Sequence, residues 1–121
     1  MFSNTAHTSP DHSDVLLRDR RYSCSMQEFI EAVRVAVSTL KRWRLVSSDL
    51  HQGVIHLEHD TPLVRFTDDV HLKLMADDDD LLVSAGSASR IGEWDFGVNR
   101  RNLREILSEL DRLLPSSSAT T

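Results

Sequence analysis

Hydrophobic residues recur along this chain with two different periods, and each period predicts a different element. Met26, Phe29, Ile30, Val33, Val37 and Leu40 follow one another at steps of three and four, which puts them on one stripe of an α-helix. Ser25 with Glu28 three positions later is a capping box that starts this helix. Lys41 and Arg42 stand near its end, where cations suit the carbonyl end of the helix dipole. Leu103, Ile106, Leu107, Leu110 and Leu114 form a second stripe, on a helix running from about Val98 to Leu114.

Between the helices the period drops to two. Trp43 to Leu50 reads as a strand with a turn at His51-Gln52-Gly53, and Val54 to Glu58 as the strand that returns. His59-Asp60-Thr61-Pro62 reads as a loop from its Asp and Pro. Val64, Phe66, Val70, Leu72 and Leu74 then share one face, while Arg65, Thr67, Asp69, His71 and Lys73 share the other and face water. Asp77 to Asp80 forms a turn, after which Leu81, Val83 and Ala85 run back. Ahead of the first helix, residues 14–22 start with Val15-Leu16-Leu17 and then turn basic, and they read as a short edge strand or an arm laid on the core. The expected architecture is a two-layer α+β sandwich. It has an antiparallel sheet of about four strands with two helices on one face, in the order helix, four strands, helix.

Composition sets the limits. The chain has 121 residues, 40% hydrophobic and 27% charged, which suits one soluble domain. Residues 1–13 and 115–121 are polar and are expected to be disordered tails around a single domain over 14–114. A net charge of −5 argues against general nucleic-acid binding. The basic groups Arg18, Arg20, Arg21 and Lys41, Arg42, Arg44 read as solvated surface. The single cysteine, Cys24, excludes an internal disulfide and a cysteine-rich zinc site. No run reaches the roughly 20 apolar residues of a membrane span, and no secretory signal opens the chain, so the expected location is cytoplasmic.

Two places break the local rules. By parity Asp68 belongs on the buried face, where an unpaired carboxylate is costly. Either a β-bulge at Asp68-Asp69 turns it outward, or it is buried and paired. A turn at 77–80 sets Leu74 opposite Val83, Val70 opposite Ser87 and Asp68 opposite Ser89, which gathers a carboxylate and two hydroxyls at one end of the sheet. The second place is the start of the last helix. Arg100, Arg101 and Arg104 stand there beside free N–H groups, which is unfavourable unless a carboxylate or anion sits among them. Glu93, Asp95 and Asp68 are internal candidates, and a bound phosphate, carboxylate or acidic protein surface is the external one. Asp95 or Asn99 would cap the helix, and Trp94 would form a lid on the core.

Recognisable chemistry is sparse. His56, Glu58, His59 and His71 lack metalloprotease spacing, with His59 in a loop and His56 and His71 on separate strands, so no metal or other cofactor is expected. Asp77 to Asp80 lacks the ligand spacing of a calcium loop. Asp68 and Asp69 resemble a carboxylate dyad, but neighbours in a strand point to opposite faces.

Phe66-Thr67-Asp68-Asp69-Val70, Ser87-Ala88-Ser89-Arg90-Ile91-Gly92 and Asp95-Phe96-Gly97-Val98-Asn99-Arg100 together resemble the motifs of the domain of unknown function 1499 family, over about residues 54–110. The chain departs from the family pattern at His71, where many members carry an acidic residue. It also retains only Cys24-Ser25 of an upstream C-V-S-S segment. The resemblance implies that Asp68, Asp69, Ser87, Ser89, Arg90, Asp95, Asn99 and Arg100 are the marked residues, and it implies no activity.

Three functions remain open on the residues alone. The preferred one is a small binding or accessory protein. Arg90, Arg100 and Arg101 would hold an anion or carboxylate, Asp68 and Asp95 would orient them, and Asp69, Ser87, Ser89, Trp94 and Asn99 would complete the site. The second is an enzyme with Asp68 or Asp69 as general base and Arg90 stabilising an oxyanion, which requires a carboxylate of raised pKa beside a vacant position. The third makes the whole motif a buried network that fixes the loop.

Overall fold

The computed structural model describes residues 4–62, 66–90 and 97–117. Its elements in chain order are β1 (Thr5–His7), a turn of 3-10 helix (Val15–Leu17), β2 (Arg20–Tyr22), α1 (Met26–Thr39), β3 (Trp43–Asp49), β4 (Val54–Asp60), β5 (Thr67–Asp77), β6 (Asp80–Ser89) and α2 (Val98–Leu113). The sheet has six strands rather than about four. Its path is β1-β6-β5-β4-β3, and β2 also pairs with β6. All these pairings are antiparallel.

Of the two extra strands, one comes from the expected disordered tail and the other falls within residues 14–22, the stretch expected as an edge strand or arm. Thr5–His7, expected in a disordered tail, pairs with Gly86–Ala88, and Arg20–Tyr22 pairs with Leu81–Val83 further along the same edge of β6. Val15-Leu16-Leu17 is a 3-10 turn in place of a strand, capped by the Asp14 carboxylate accepting from Leu16 N–H. At the other end, Tyr22 bridges Ser116, and Ser117 N–H donates to the Arg21 carbonyl. A three-residue strand is too short to show a period, so only the edge of β6 that it completes reveals it.

The long elements follow their patterns. Ser25 and Glu28 form the reciprocal capping box at α1. The β5–β6 hairpin closes at Asp77 opposite Asp80, with Asp78 in the left-handed region (φ 52°). Leu74 therefore faces Val83, Val70 faces Ser87 and Asp68 faces Ser89. The bulge falls in β3 instead of at Asp68-Asp69: the register shifts between Leu45 and Ser47, leaving Val46 exposed. Phe66 is 41% exposed and precedes β5, so it does not share the buried face. Val64 and Arg65 lie outside the described residues.

One face of the sheet is buried. Ile55 and Leu57 of β4, Val70 and Leu72 of β5, and Leu81 and Val83 of β6 join Phe29, Ile30 and Val33 of α1 and Leu103, Ile106 and Leu107 of α2 in one core. Each such side chain contributes about 1.5–3 kcal/mol when removed from water. α1 lies along β3 and α2 along β6, and the helices touch each other. The opposite face carries Asp69, His71, Lys73, Met75, Ser84 and Arg90, all partly or fully exposed. Two faces of different chemistry result.

Candidate functional site

Strand alternation divides the marked residues between these faces. On the buried face, Asp68 is 1% exposed and accepts a hydrogen bond from Asn102 Nδ2 at 2.9 Å. Asn102 Nδ2 also donates to Ser87 Oγ at 3.3 Å. Ser87 Oγ in turn donates to Asn99 Oδ1 at 2.6 Å. The Asn99 amide then donates to Ser89 Oγ at 2.9 Å and to the Asn4 carbonyl at 2.6 Å. The chain of bonds joins β5, β6, the segment before β1, and the first turns of α2. It clamps the start of α2 onto the sheet.

Asn99 is therefore no N-cap. It is fully buried, and the cap is Gly97, in the left-handed region (φ 82°) and so without a capping side chain. Glycine adopts that backbone without a Cβ penalty. Asn102 is a further member that sequence reasoning missed. It stands three residues after Asn99, one helical turn away on the same face, and that spacing could have identified it. Trp94 and Asp95 lie outside the described residues.

His59 also belongs to this side. Expected in a loop, it is the penultimate residue of β4, 6% exposed, with its ring 4.8 Å from that of Trp43. Its Nδ1 lies 4.0 Å from Asp68 Oδ2, beyond hydrogen-bond reach. Pairing of Trp43 with His59 carries the strand past Glu58 and overrides the loop composition.

The arginines are dispersed. Arg90 lies on the open face, far from the orienting role expected of Asp68: its Nε donates to Asp69 Oδ2 at 2.8 Å, and its Nη2 donates to Asp69 Oδ1 at 2.8 Å and to Glu58. Arg104 pairs with Asp14 at 2.7 Å rather than with Asp68, while the other expected partners, Glu93 and Asp95, lie outside the described residues. Arg20 pairs with Asp111, and Arg21 with Asp77 and Asp80. Arg100 and Arg101 are exposed and form no ion pair with the described residues.

The open face carries an ionic cluster of its own. Arg44 donates to Glu58 at 2.7 Å and to Asp60 at 2.7 Å, and Arg90 links Glu58 to Asp69. His56 Nε2 lies 2.7 Å from Asp69 Oδ1, and the His56 ring stacks on His71 with centroids 4.5 Å apart and planes 10° apart. The strand register explains this contact: His56 is opposite His71, His71 opposite Gly86, and Gly86 opposite His7. A Cβ on Gly86 would lie 2.7 Å from His7 Nδ1, so the missing side chain makes room for the imidazole. A shallow cavity of about 430 Å³ sits here, lined by His7, Asp69, His71, Lys73 and Ser84 among others.

The charges set the protonation states. Hydrogen bonding to Arg90 lowers the Asp69 pKa to about 2, and Arg44 does the same for Asp60. Burial, with the neighbouring His56, lowers the His71 pKa and favours its neutral form. Asp69 is thus a fully ionised, weak base, the reverse of what general-base chemistry needs. Asp68 points into the core and faces Asn102 rather than a vacant position.

The described residues define a small α+β protein: among them two α-helices lie on a six-stranded antiparallel sheet, with a buried amide–hydroxyl–carboxylate clamp on one face and a histidine–carboxylate–arginine cluster on the other. The model of a protein family of unknown function, DUF1499, matches residues 2–110, and the chain belongs to that family. The match takes in the N-terminal strands as well as the motif-bearing half. No curated protein matches the sequence. Among solved structures, the crystal structure of TTHA0849 from Thermus thermophilus is similar at 7% identity and a TM-score of 0.44, over 90% of this chain and 95% of that one. Among the described residues, no helix is long and apolar enough to cross a membrane.

Proposed function

We propose that this protein is a binding or accessory module, and that its ligand surface is the open sheet face around His7, His56, Asp69, His71, Lys73 and Arg90. The observation that carries the reading is the convergence of ionisable side chains from β1, β4, β5 and the end of β6 on a face that the helices leave uncovered. The core does not need these groups, whereas Asp68, Ser87, Asn99 and Asn102 on the other face are engaged in the clamp. The cavity over Gly86 has the size of a small-molecule site, and its lining suits a polar or ionic ligand.

A second reading keeps the anion site at the last helix. Arg100 and Arg101 are exposed there beside a helix start whose cap, Gly97, offers no side chain. An arriving phosphate or carboxylate would meet two guanidinium groups and the positive end of the dipole. Backbone amide chemical-shift titration with phosphate, acetate and citrate separates the two. Shifts centred on His7, His71, Lys73 and Gly86 support the sheet face; shifts centred on Arg100 and Arg101 transfer the function to the helix start. No saturable shift at either place for any of the three refutes both as anion sites.

A further inference from the structure

We infer that His56, Glu58 and Asp69 form a site for a divalent transition-metal ion, with Arg90 as the cation that occupies it in the metal-free protein. This rests on the reading of the open face as the binding surface and gives it a ligand class.

One potential ligand atom from each of the three residues lies within 4.8 Å of the others. The fold produces that convergence by simple means. His56 and Glu58 are two residues apart on β4 and so share a face, and Asp69 on β5 is directly opposite Glu58. One imidazole and two carboxylates are a donor set of intermediate hardness, suited to Zn²⁺, Co²⁺, Mn²⁺ or Fe²⁺. Bonds of about 2.0–2.2 Å to such an ion require the side chains to close by an ångström or so. The strand backbones can stay fixed, because all three side chains are only partly buried.

Arg90 already behaves as the counter-ion of this site. Its guanidinium spans Glu58 and Asp69, the two carboxylates a metal would use. Glu58, Asp60 and Asp69 together carry one more unit of charge than Arg44 and Arg90 supply. The cluster therefore favours a cation. On binding, the Arg90 side chain swings away and releases both carboxylates. Without the metal, His56 Nε2–H donates to the ionised Asp69; on binding, the ring proton passes through solvent to Nδ1 so that Nε2 gives its lone pair to the ion, while Arg44 continues to orient Glu58. Stacking of His71 on the His56 ring limits its rotation.

The competition between Arg90 and metal gives the test its sign. Full-length protein is titrated with Co²⁺, followed by its visible absorption, and then with Zn²⁺ as competitor. Wild type is expected to bind one Co²⁺ per chain. His56→Ala and Asp69→Asn each weaken binding at least tenfold, and Arg90→Gln tightens it about tenfold because no guanidinium has to leave. His12→Ala is the control for adventitious histidine binding and leaves the affinity unchanged. Amide spectra of each variant verify folding, with His56→Gln replacing His56→Ala if the latter is disordered. The inference is overturned if neither wild type nor Arg90→Gln saturates with Co²⁺, if binding ignores His56 and Asp69, or if Arg90→Gln weakens it. If Co²⁺ fails while phosphate, acetate or citrate shifts His7 and His71, the metal assignment alone falls; if none acts on this face, the binding surface falls with it.

Discussion

Replacing Asn99 by alanine tests whether the family-marked residues on the inner face hold the fold or hold a ligand. The Asn99 side chain is 0% exposed and makes hydrogen bonds to Ser87, Ser89 and the Asn4 carbonyl. At about 1 kcal/mol net for each, their loss costs roughly 3 kcal/mol, and the buried Ser87 hydroxyl, left without the acceptor it donates to, keeps the figure from shrinking. For a chain of this size that corresponds to a fall of roughly 12 °C in Tm. Urea denaturation of wild type and variant, read by circular dichroism, gives the free-energy difference, and calorimetry gives the Tm. Arg100→Ala, one residue on but on the exposed side of α2, shifts Tm by no more than about 2 °C. A loss below about 1 kcal/mol for Asn99→Ala, or equal effects of the two substitutions, refutes the clamp.

Two further outcomes follow from the geometry. Gly53 has φ 71° and lies so close to β5 that a Cβ would be 2.5 Å from the Leu74 carbonyl oxygen; Gly53→Ala costs about 2 kcal/mol or more, which urea denaturation reads, and a cost under about 0.5 kcal/mol would show that the β3–β4 turn can shift. Acid provides the second. Asp69 and Asp60 have folded pKa values of about 2, below the value near 4 for an unfolded chain. Their contribution to stability is therefore complete above about pH 4 and is lost as pH falls through 2. Melting curves from pH 5 to pH 2 should decline in that window, with a shallower decline in Asp69→Asn; an unchanged slope in the variant would show that Arg90 does not hold Asp69 in solution.

Much of the fold was legible because local rules and packing agree in its long elements. The stripes of α1 and α2, the Ser25–Glu28 box and the β5–β6 register are all readable from spacing, since a slipped hairpin would turn every apolar side chain to water. The same register places Asp68 beside Ser89 and sends Asp69 to the opposite face. By itself, then, the sequence determined the two helices, the central hairpins, the family, and the separation of the two aspartates.

What tertiary structure decided are the contacts between residues distant in the chain. β1 exists as a strand because β6 offers it an edge, and three residues carry too little pattern to announce it; the same edge decides where within residues 14–22 the expected edge strand falls. Arg90 belongs with Glu58 and His56 because β4, β5 and β6 lie side by side, although the motif groups it with Asn99 and Arg100. His56 and His71 stand on separate strands, which argued against a joint site until pairing made them stacked neighbours. Adjacent positions in a strand diverge to opposite faces, and positions far apart meet across the sheet. A motif continuous in sequence thus became a structural clamp on one side and an ionic cluster on the other.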